Sequence, residues 1–192
     1  MAVPPCLEHL VFEVSDFRTP DFCDQIIARA DDVGFVEATI TTESGTSVTQ
    51  EIRNNDRVIF DDAELAKLLW NNAKSLFSES FKGHRAVGLN ERFRVYRYGP
   101  DQFFDWHQDG EYQALSGQRS MFTMMIYLSE DCDGGGTSFA DVFSHYVFKD
   151  FTIAPKTGKA LFFHHPLSHR GDPIISGEKF VLRTDVMFEK IT

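Results

Sequence analysis

The hydrophobic period of the chain changes from helical to two residues between its first and second halves, and this change constrains the fold most strongly. Four segments of the second half are rich in Phe, Val, Tyr, Ile and Leu: residues 92–98, 121–128, 160–163 and 180–188. Glycine-bearing turns separate them, at residues 99–100, 133–136, 156–158 and 176–178. The pattern predicts a mainly β fold, an antiparallel sandwich or barrel braced by helices.

Two helices are predicted before these strands. Thr19 and Pro20 suit the N-cap and first position of a helix, and Gly34 is a typical helix stop. A second helix is predicted to begin at Asp61, with Glu64 three residues later as in a capping box.

The length of 192 residues suits a single domain. Residues 7–14 are predicted to form an opening strand. We expect residues 1–83 to form a support region of helices and strand, and residues 84–192 to form the β core that holds the chemistry.

The charge and cysteine content exclude several classes of function. With 29 acidic and 19 basic residues, the formal net charge is −10, which opposes nucleic acid as the main partner. Three cysteines without a CxxC pair argue against a disulfide framework or a thiolate zinc site, so we expect a reducing, cytoplasmic location. The apolar runs are far shorter than the ~20 residues that cross a bilayer, so no membrane partner is expected.

The sharpest motif is Trp-His-Gln-Asp-Gly at residues 106–110. If it lies on a strand, His107 and Asp109 point to the same face with Cα atoms ~6.5 Å apart, and both can bind one metal ion. By itself this pair also fits a polar surface. A third ligand is required, and the later histidines are candidates: His145, His164, His165 and His169.

His169 completes the residue types of a 2-His-1-carboxylate triad, which leaves positions on Fe(II) open for a co-substrate and dioxygen. Zinc with three protein ligands and water is also chemically consistent. The last predicted strand favours iron, because Lys179, Arg183 and Asp185 share one face of it. An inward cation requires an anion, and the distal carboxylate of 2-oxoglutarate is a suitable one.

Six segments follow one another in the order of a known family: residues 94–99, 107–110, 123–128, 135–139, 155–163 and 169–179. In them the sequence resembles the iron(II)/2-oxoglutarate dioxygenases of the prolyl 4-hydroxylase type. The resemblance covers about half of the chain. It implies a double-stranded β-helix, or jelly roll, with the N-terminal helices packed on one sheet.

The resemblance also implies roles for individual residues. His107, Asp109 and His169 match the iron ligands, and Lys179 matches the basic residue that binds the C5 carboxylate of 2-oxoglutarate. Tyr98 and Tyr127 match tyrosines that line the co-substrate pocket.

One position departs from the family pattern. Prolyl hydroxylases usually carry an aromatic residue six positions beyond the basic one, and here that residue is Asp185. Arg183 on the same face is an alternative anchor for 2-oxoglutarate, and alternation alone does not choose between it and Lys179. The departure puts specificity for peptidyl proline in doubt and leaves the iron chemistry intact.

The expected function is therefore a dioxygenase that uses Fe(II), 2-oxoglutarate and dioxygen to hydroxylate a C–H bond, with release of succinate and CO2. Ascorbate is left open as an additional cofactor, and the substrate is a peptide residue or a small amino-acid-like molecule. Rival hypotheses are a non-catalytic jelly-roll module that binds metal or ligand, and a zinc hydrolase. Arg119 and the 54–56 turn are weaker candidates for the cavity mouth, and the sequence does not specify an oligomeric state.

Overall fold

A computed structural model describes residues 3–38, 40–42, 45–47, 51–142 and 147–191. The helical segments are a 3₁₀ turn at Pro5–Leu7, α1 at Pro20–Val33, α2 at Ala63–Ala73 and a second 3₁₀ turn at Lys74–Phe77. In the described residues, no helix combines the length and the apolar composition needed to cross a membrane.

Sixteen strands are found in the described residues. They are β1 Val11–Val14, β2 Val36–Glu37, β3 Ile40–Thr42, β4 Gly45–Ser47, β5 Asp56–Asp61, β6 His84–Leu89, β7 Arg92–Tyr98, β8 Phe104–His107, β9 Arg119–Tyr127, β10 Cys132–Gly134, β11 Thr137–Ala140, β12 Phe151–Ile153, β13 Ala160–His164, β14 Ser168–Gly171, β15 Ile174–Gly177 and β16 Lys179–Lys190.

Two antiparallel sheets form the body of the molecule. The larger sheet has the order β1-β13-β9-β16-β7-β5-β2, with β6 also paired to β16, and the smaller has the order β12-β11-β14-β8. Their inner faces meet in a cluster that includes Tyr127, Phe139, Leu161 and Phe163. This arrangement is the predicted double-stranded β-helix, and the predicted fold class is confirmed.

The outer face of the larger sheet is covered by the helices. Ile26 of α1 and Leu69 of α2 belong to the same buried cluster as Phe93, Phe162 and Leu182 of the sheet. The helices therefore pack on one sheet as expected, and they leave the inner face of that sheet free to line a site.

The twelve-residue strand β16 is the central element of the larger sheet. It pairs with β7 along its first part, with β6 along its last part, and with β9 along most of its length. Because side chains alternate along a strand, Lys179, Val181, Arg183 and Asp185 all face inwards, as the sequence predicted. Their apolar neighbour Leu182 faces the helices.

The helix boundaries follow the capping residues. The Thr19 hydroxyl accepts a hydrogen bond from the Phe22 N–H, and Gly34 ends α1, so both predictions are confirmed. Helix α2 begins after Asp62, whose carboxylate accepts from the Leu65 N–H, so the predicted start at Asp61 was one residue early. Asp61 is instead the last residue of β5.

The predicted opening strand at residues 7–14 is wrong in its first half. Pro4 and Pro5 suit the start of a 3₁₀ turn, and the strand begins only at Val11. Strands β1 and β5, both from residues 1–83, are part of the larger sheet. The division of the domain at residue 83 stays a prediction.

Candidate active site

A cavity of about 650 Å³ lies between the two sheets. Its walls include His107, Asp109, His169, Lys179 and Arg183, which come from four separate parts of the chain. All five are candidates predicted from the sequence, and the structure brings them together.

Three potential metal-ligating atoms converge at one wall of this cavity. His107 and His169 lie directly opposite each other on β8 and β14, and Asp109 follows two residues after β8 ends. One atom from each of the three lies within 4.8 Å of the others. His107 Nε2 is 3.9 Å from Asp109 Oδ1, and His169 Nε2 is 3.8 Å from Asp109 Oδ2. Neighbouring ligands with bonds of ~2.1 Å to one ion lie ~3–3.5 Å apart, so these side chains fit a metal after small rotations.

Asp109 reaches this point in a way that differs from the prediction. Strand β8 ends at His107, so the two residues do not share a strand. Instead, the Asp109 N–H donates to the carbonyl oxygen of His165 at 3.1 Å, which fixes the loop. The carboxylate is thus positioned by a loop hydrogen bond rather than by alternation along a strand.

Both histidines are oriented by backbone carbonyl groups. His107 Nδ1 lies 2.7 Å from Asp105 O, and His169 Nδ1 lies 2.9 Å from Leu167 O. Because a carbonyl oxygen only accepts, each Nδ1 carries the hydrogen and each Nε2 presents a lone pair to the cluster. Burial, with the neighbouring His169, lowers the pKa of His107 to about 3, so the ring is in the neutral form that binds metals at pH 7.

Asp109 is held as a carboxylate by its neighbours. Burial alone would raise its pKa, but Arg183 and the two histidines outweigh burial and lower it. Arg183 Nη2 forms an ion pair with Asp109 Oδ1 at 3.1 Å, and the Thr123 hydroxyl donates a hydrogen bond to Asp109 Oδ2 at 2.5 Å. Asp109 is therefore charged and fixed in place at any ordinary pH.

Arg183 and Lys179, the two candidate anchors for an anion, differ in their partners. Arg183 Nη2 also lies 3.2 Å from Asp185 Oδ1, so this arginine already contacts two carboxylates. Lys179 is only 2% exposed, and its Nζ donates to Gly135 O at 2.6 Å and lies 4.4 Å from the centre of the Tyr98 ring. It makes no ion pair with a carboxylate within the described ranges, and burial lowers its pKa to about 8.

The two predicted tyrosines occupy different positions. Tyr98 lines the cavity, and burial raises its pKa to about 12. Tyr127 is fully buried between the sheets, and its hydroxyl lies 2.7 Å from the Thr137 hydroxyl, which does line the cavity. Tyr127 is thus one hydrogen bond removed from the cavity.

The remaining histidine candidates lie away from the metal-ligating cluster. His164 packs its ring against Phe81 and Phe122, and His165 Nδ1 is 3.5 Å from the Thr123 hydroxyl. His145 lies outside the described residues.

The weaker candidates for the cavity mouth have mainly local roles. Arg119 forms an ion pair with Glu111, and Asn54 Oδ1 accepts from the Phe103 N–H at 2.8 Å. Asn55 is fully buried.

Three arginines and a tyrosine that line the cavity were not predicted from the sequence: Arg53, Arg57, Arg94 and Tyr96. Arg94 and Tyr96 could have been found, because they alternate with Tyr98 on β7 and share its face. Arg53 precedes β5 and carried no comparable signal.

Comparison with known proteins identifies the relatives of this site. Residues 93–184, which include all of the metal-ligating cluster, match the sequence profile of the 2OG-Fe(II) oxygenase superfamily. The chain is similar to the 2OG-Fe(II) oxygenases. That superfamily implies Fe(II), 2-oxoglutarate and dioxygen, and the resemblance predicted from the six sequence segments is confirmed.

Prolyl 4-hydroxylases are among the proteins that this chain is similar to in sequence and in structure. Prolyl 4-hydroxylase 1 of Arabidopsis thaliana is 23% identical over 188 residues, which cover 88% of this chain and 66% of that protein. The chain therefore spans about two thirds of the length of this curated relative.

Solved structures show the same fold at low sequence identity. A prolyl-4-hydroxylase from Pseudomonas putida has a TM-score of 0.70 at 19% identity and covers 94% of both chains. A viral collagen prolyl hydroxylase from Paramecium Bursaria Chlorella virus-1, solved as a 2OG complex, has a TM-score of 0.62 at 20% identity, covering 96% of this chain and 99% of that one. A Trichoplax adhaerens prolyl hydroxylase, solved with a hypoxia inducible factor peptide, has a TM-score of 0.70 at 15% identity, covering 94% and 86%.

Proposed function

We propose that this protein is an Fe(II)- and 2-oxoglutarate-dependent dioxygenase that hydroxylates a C–H bond and releases succinate and CO2. The observation that carries the proposal is that one cavity holds both a two-histidine, one-carboxylate cluster and a buried lysine, and that no described residue offers this lysine a carboxylate partner. A metal and a dicarboxylate would satisfy these two features together.

His107, Asp109 and His169 would hold the iron, since their neutral imidazoles and carboxylate are the donor set of non-haem Fe(II) oxygenases. Bound there, Fe(II) would supply the activation of dioxygen that is coupled to decarboxylation of 2-oxoglutarate. The protein's contribution is to fix three ligands: Asp105 O and Leu167 O orient the histidines, as described above.

Lys179 is the better of the two candidates for binding the C5 carboxylate of 2-oxoglutarate. Arg183 already balances Asp109 and Asp185, so removing it to bind a ligand would leave carboxylates unpaired. A carboxylate beside Lys179 would instead stabilise a buried charge. Tyr98, which contacts Lys179 and lines the cavity, would border the same ligand.

The substrate is proposed to be a peptide residue or a small amino-acid-like molecule. Peptide hydroxylation is supported by the prolyl hydroxylases among the relatives, one of which was solved with a peptide. Ascorbate is proposed only as an additive that sustains turnover, and its omission from an assay tests this. A cytoplasmic location remains a proposal.

The decisive experiment is to add Fe(II) and 2-oxoglutarate without oxygen and to measure the weak visible charge-transfer band of the complex. We expect the band in the wild type and in His84→Ala, the control variant, which removes a histidine that does not line the cavity. His107→Ala and Asp109→Ala should lose it. Succinate release after admission of oxygen is the second measurement.

Absence of the band in the wild type would refute the proposal. Zinc in protein purified without oxygen, combined with no binding of 2-oxoglutarate, would support a hydrolase. Binding of metal and 2-oxoglutarate without any succinate, across candidate substrates, would instead indicate a non-catalytic module.

A further inference from the structure

Three arginines line the cavity around the side chain of Tyr96, and we call Arg53, Arg57 and Arg94 the arginine cluster. Arg57 on β5 lies directly opposite Tyr96 on β7. Arg94 precedes Tyr96 by two residues and shares its face of the strand. The guanidinium of Arg53 lies 4.4 Å from the centre of the Tyr96 ring. Three cations from two strands and a preceding segment therefore converge on one phenol.

Arg53 is a buried residue that is held in place in the cavity wall. It is 4% exposed, and its guanidinium lies between the rings of Tyr96 and Phe104, at 4.4 and 4.3 Å from their centres. Its Nε donates to Asn55 Oδ1 at 2.7 Å. Its Nη2 is buried and has no hydrogen-bond partner among the described residues. A donor that is buried, rigidly held and unpartnered is costly unless a ligand accepts from it.

The carboxylate beside Arg94 is already engaged by another arginine. The nearest one to Arg94 is Asp185 at 3.9 Å, and Asp185 is closer to Arg183, at 3.2 Å. The Nη1 atom of Arg94 is buried without a hydrogen-bond partner among the described residues. The cavity thus concentrates positive charge in a chain whose net charge is −10.

The titration behaviour of neighbouring groups agrees with an excess of positive charge. Burial alone would raise the pKa of Tyr96, yet Arg53, Arg183 and Arg94 outweigh burial and lower it. Burial lowers the pKa of Arg57; Tyr96 acts against this, and Arg53 and Arg94 lower the pKa further. Mutual repulsion of this kind is relieved when an anion binds.

The arginine cluster is close to the metal-ligating residues but separate from Lys179. Phe104, which covers Arg53, stacks on the His107 ring with centroids 3.5 Å apart. Arg94 lies opposite Arg183 on β16, whereas Lys179 lies four residues away along that strand, or ~13 Å at 3.3 Å per residue. One dicarboxylate bound at Lys179 therefore does not account for the arginine cluster.

We propose that Arg53, Arg57 and Arg94 bind a carboxylate of the substrate, so that the enzyme hydroxylates an anionic substrate at a carbon near that carboxylate. This inference rests on the proposed dioxygenase function and adds the chemical class of the substrate. The carboxylate belongs either to a free amino acid or to an acidic side chain beside the hydroxylated residue of a peptide. Both sources place a carboxylate on the same guanidinium groups.

The test measures binding of two probe pairs by calorimetry, without oxygen, to protein loaded with Fe(II) and 2-oxoglutarate. The pairs are L-proline with L-prolinamide, and acetyl-Pro-Asp-amide with acetyl-Pro-Asn-amide. We expect the carboxylate member of one pair to bind the wild type at least tenfold more tightly than its amide, and the pair that shows this identifies the source. In Arg94→Gln and Arg57→Gln the preference should fall below threefold, and Arg94→Lys should restore part of it.

The matched control is Arg97→Gln, which removes a guanidinium from the opposite face of the same strand, where it pairs with Asp56. It should keep the full preference. The affinity for 2-oxoglutarate should be unchanged in Arg94→Gln, which shows that the variant folds and that the arginine cluster is not the co-substrate site.

Three results would overturn the inference. The first is equal binding of the carboxylate probe and the amide probe in both pairs, or no binding of any probe. The second is a carboxylate preference that survives in both glutamine variants. The third is loss of 2-oxoglutarate binding in Arg94→Gln. Repeating the titrations without Fe(II) and 2-oxoglutarate separates this inference from the proposed function, because carboxylate preference can then be seen even if no charge-transfer band forms.

Discussion

Replacement of Lys179 by methionine should stabilise the fold while abolishing the binding of 2-oxoglutarate. Methionine has a similar length and fills the same buried space without a charge. Lys179 is 2% exposed and its pKa falls from 10.5 to about 8, so the folded state disfavours the charged ammonium that is present at pH 7. A residue whose removal improves stability is most simply retained for the ligand that it binds.

The magnitude follows from this pKa shift. A difference of about 2.5 units corresponds to about 3 kcal/mol of unfolding free energy at pH 7. The variant also loses the hydrogen bond to Gly135 O and the contact with the Tyr98 ring, together about 1–2 kcal/mol. We therefore expect a net gain of about 1–2 kcal/mol.

The pH dependence of the unfolding free energy is a second test of this prediction. Between pH 8 and pH 10.5 the unfolded state holds the Lys179 proton and the folded state does not, so the wild type becomes relatively more stable as the pH rises. The advantage of the variant should shrink by about 2 kcal/mol between pH 7 and pH 9.5. Lys156→Met, which removes an exposed lysine paired with Glu130, should show no such gain.

The assays are urea denaturation at both pH values and equilibrium binding of 2-oxoglutarate. Arg183→Met provides the contrast: it leaves Asp109 and Asp185 without their closest cation and should destabilise the fold by about 3 kcal/mol or more. A Lys179→Met variant that is less stable than the wild type at pH 7, or that binds 2-oxoglutarate with unchanged affinity, would refute this prediction.

Three further predictions concern the ligand shell and the fold. Thr123→Val removes the hydroxyl that donates to Asp109 and should weaken Fe(II) binding about 10-fold or more in an anaerobic titration, and unchanged affinity would contradict this role. Asp62→Ala removes the α2 cap that accepts from the Leu65 N–H and should lower the unfolding free energy by about 1 kcal/mol in urea denaturation; an unchanged urea midpoint would argue against the cap. Gly158→Ala places a Cβ atom 2.0 Å from a backbone carbonyl oxygen, at a residue whose φ is +78°. The variant should lose about 2 kcal/mol or more of unfolding free energy in urea denaturation, and an unchanged unfolding free energy would contradict the close approach.

Alternation and capping residues made much of this fold predictable. Strand β7 was predicted with its observed limits, and the inward face of β16 followed from its alternating charges. Errors arose where two neighbouring residues were both suited to the same role. Asp61 and Asp62 are both able to cap a helix, and only pairing of Asp61 with Arg92 across β5 and β7 decides which one does.

The predicted site residues could be recognised because each lies in a family motif that is local in sequence, whereas the arginine cluster belongs to no such motif. Arg53 is buried only because Tyr96 and Phe104, more than 40 residues away in the chain, enclose it. The assumed strand geometry of His107 and Asp109 failed for a related reason. The loop that carries Asp109 is fixed by His165, a residue that the motif does not contain.

The position of β16 makes correct strand pairing a condition for activity. Lys179, Arg183 and Asp185 reach the cavity only in the observed pairing with β7 and β9. A slip by a single residue would turn these charges towards the helices and bring Leu182 inwards. Misassembled molecules would therefore be inactive rather than partly active, and specific activity in a refolded sample would count the chains that had assembled correctly.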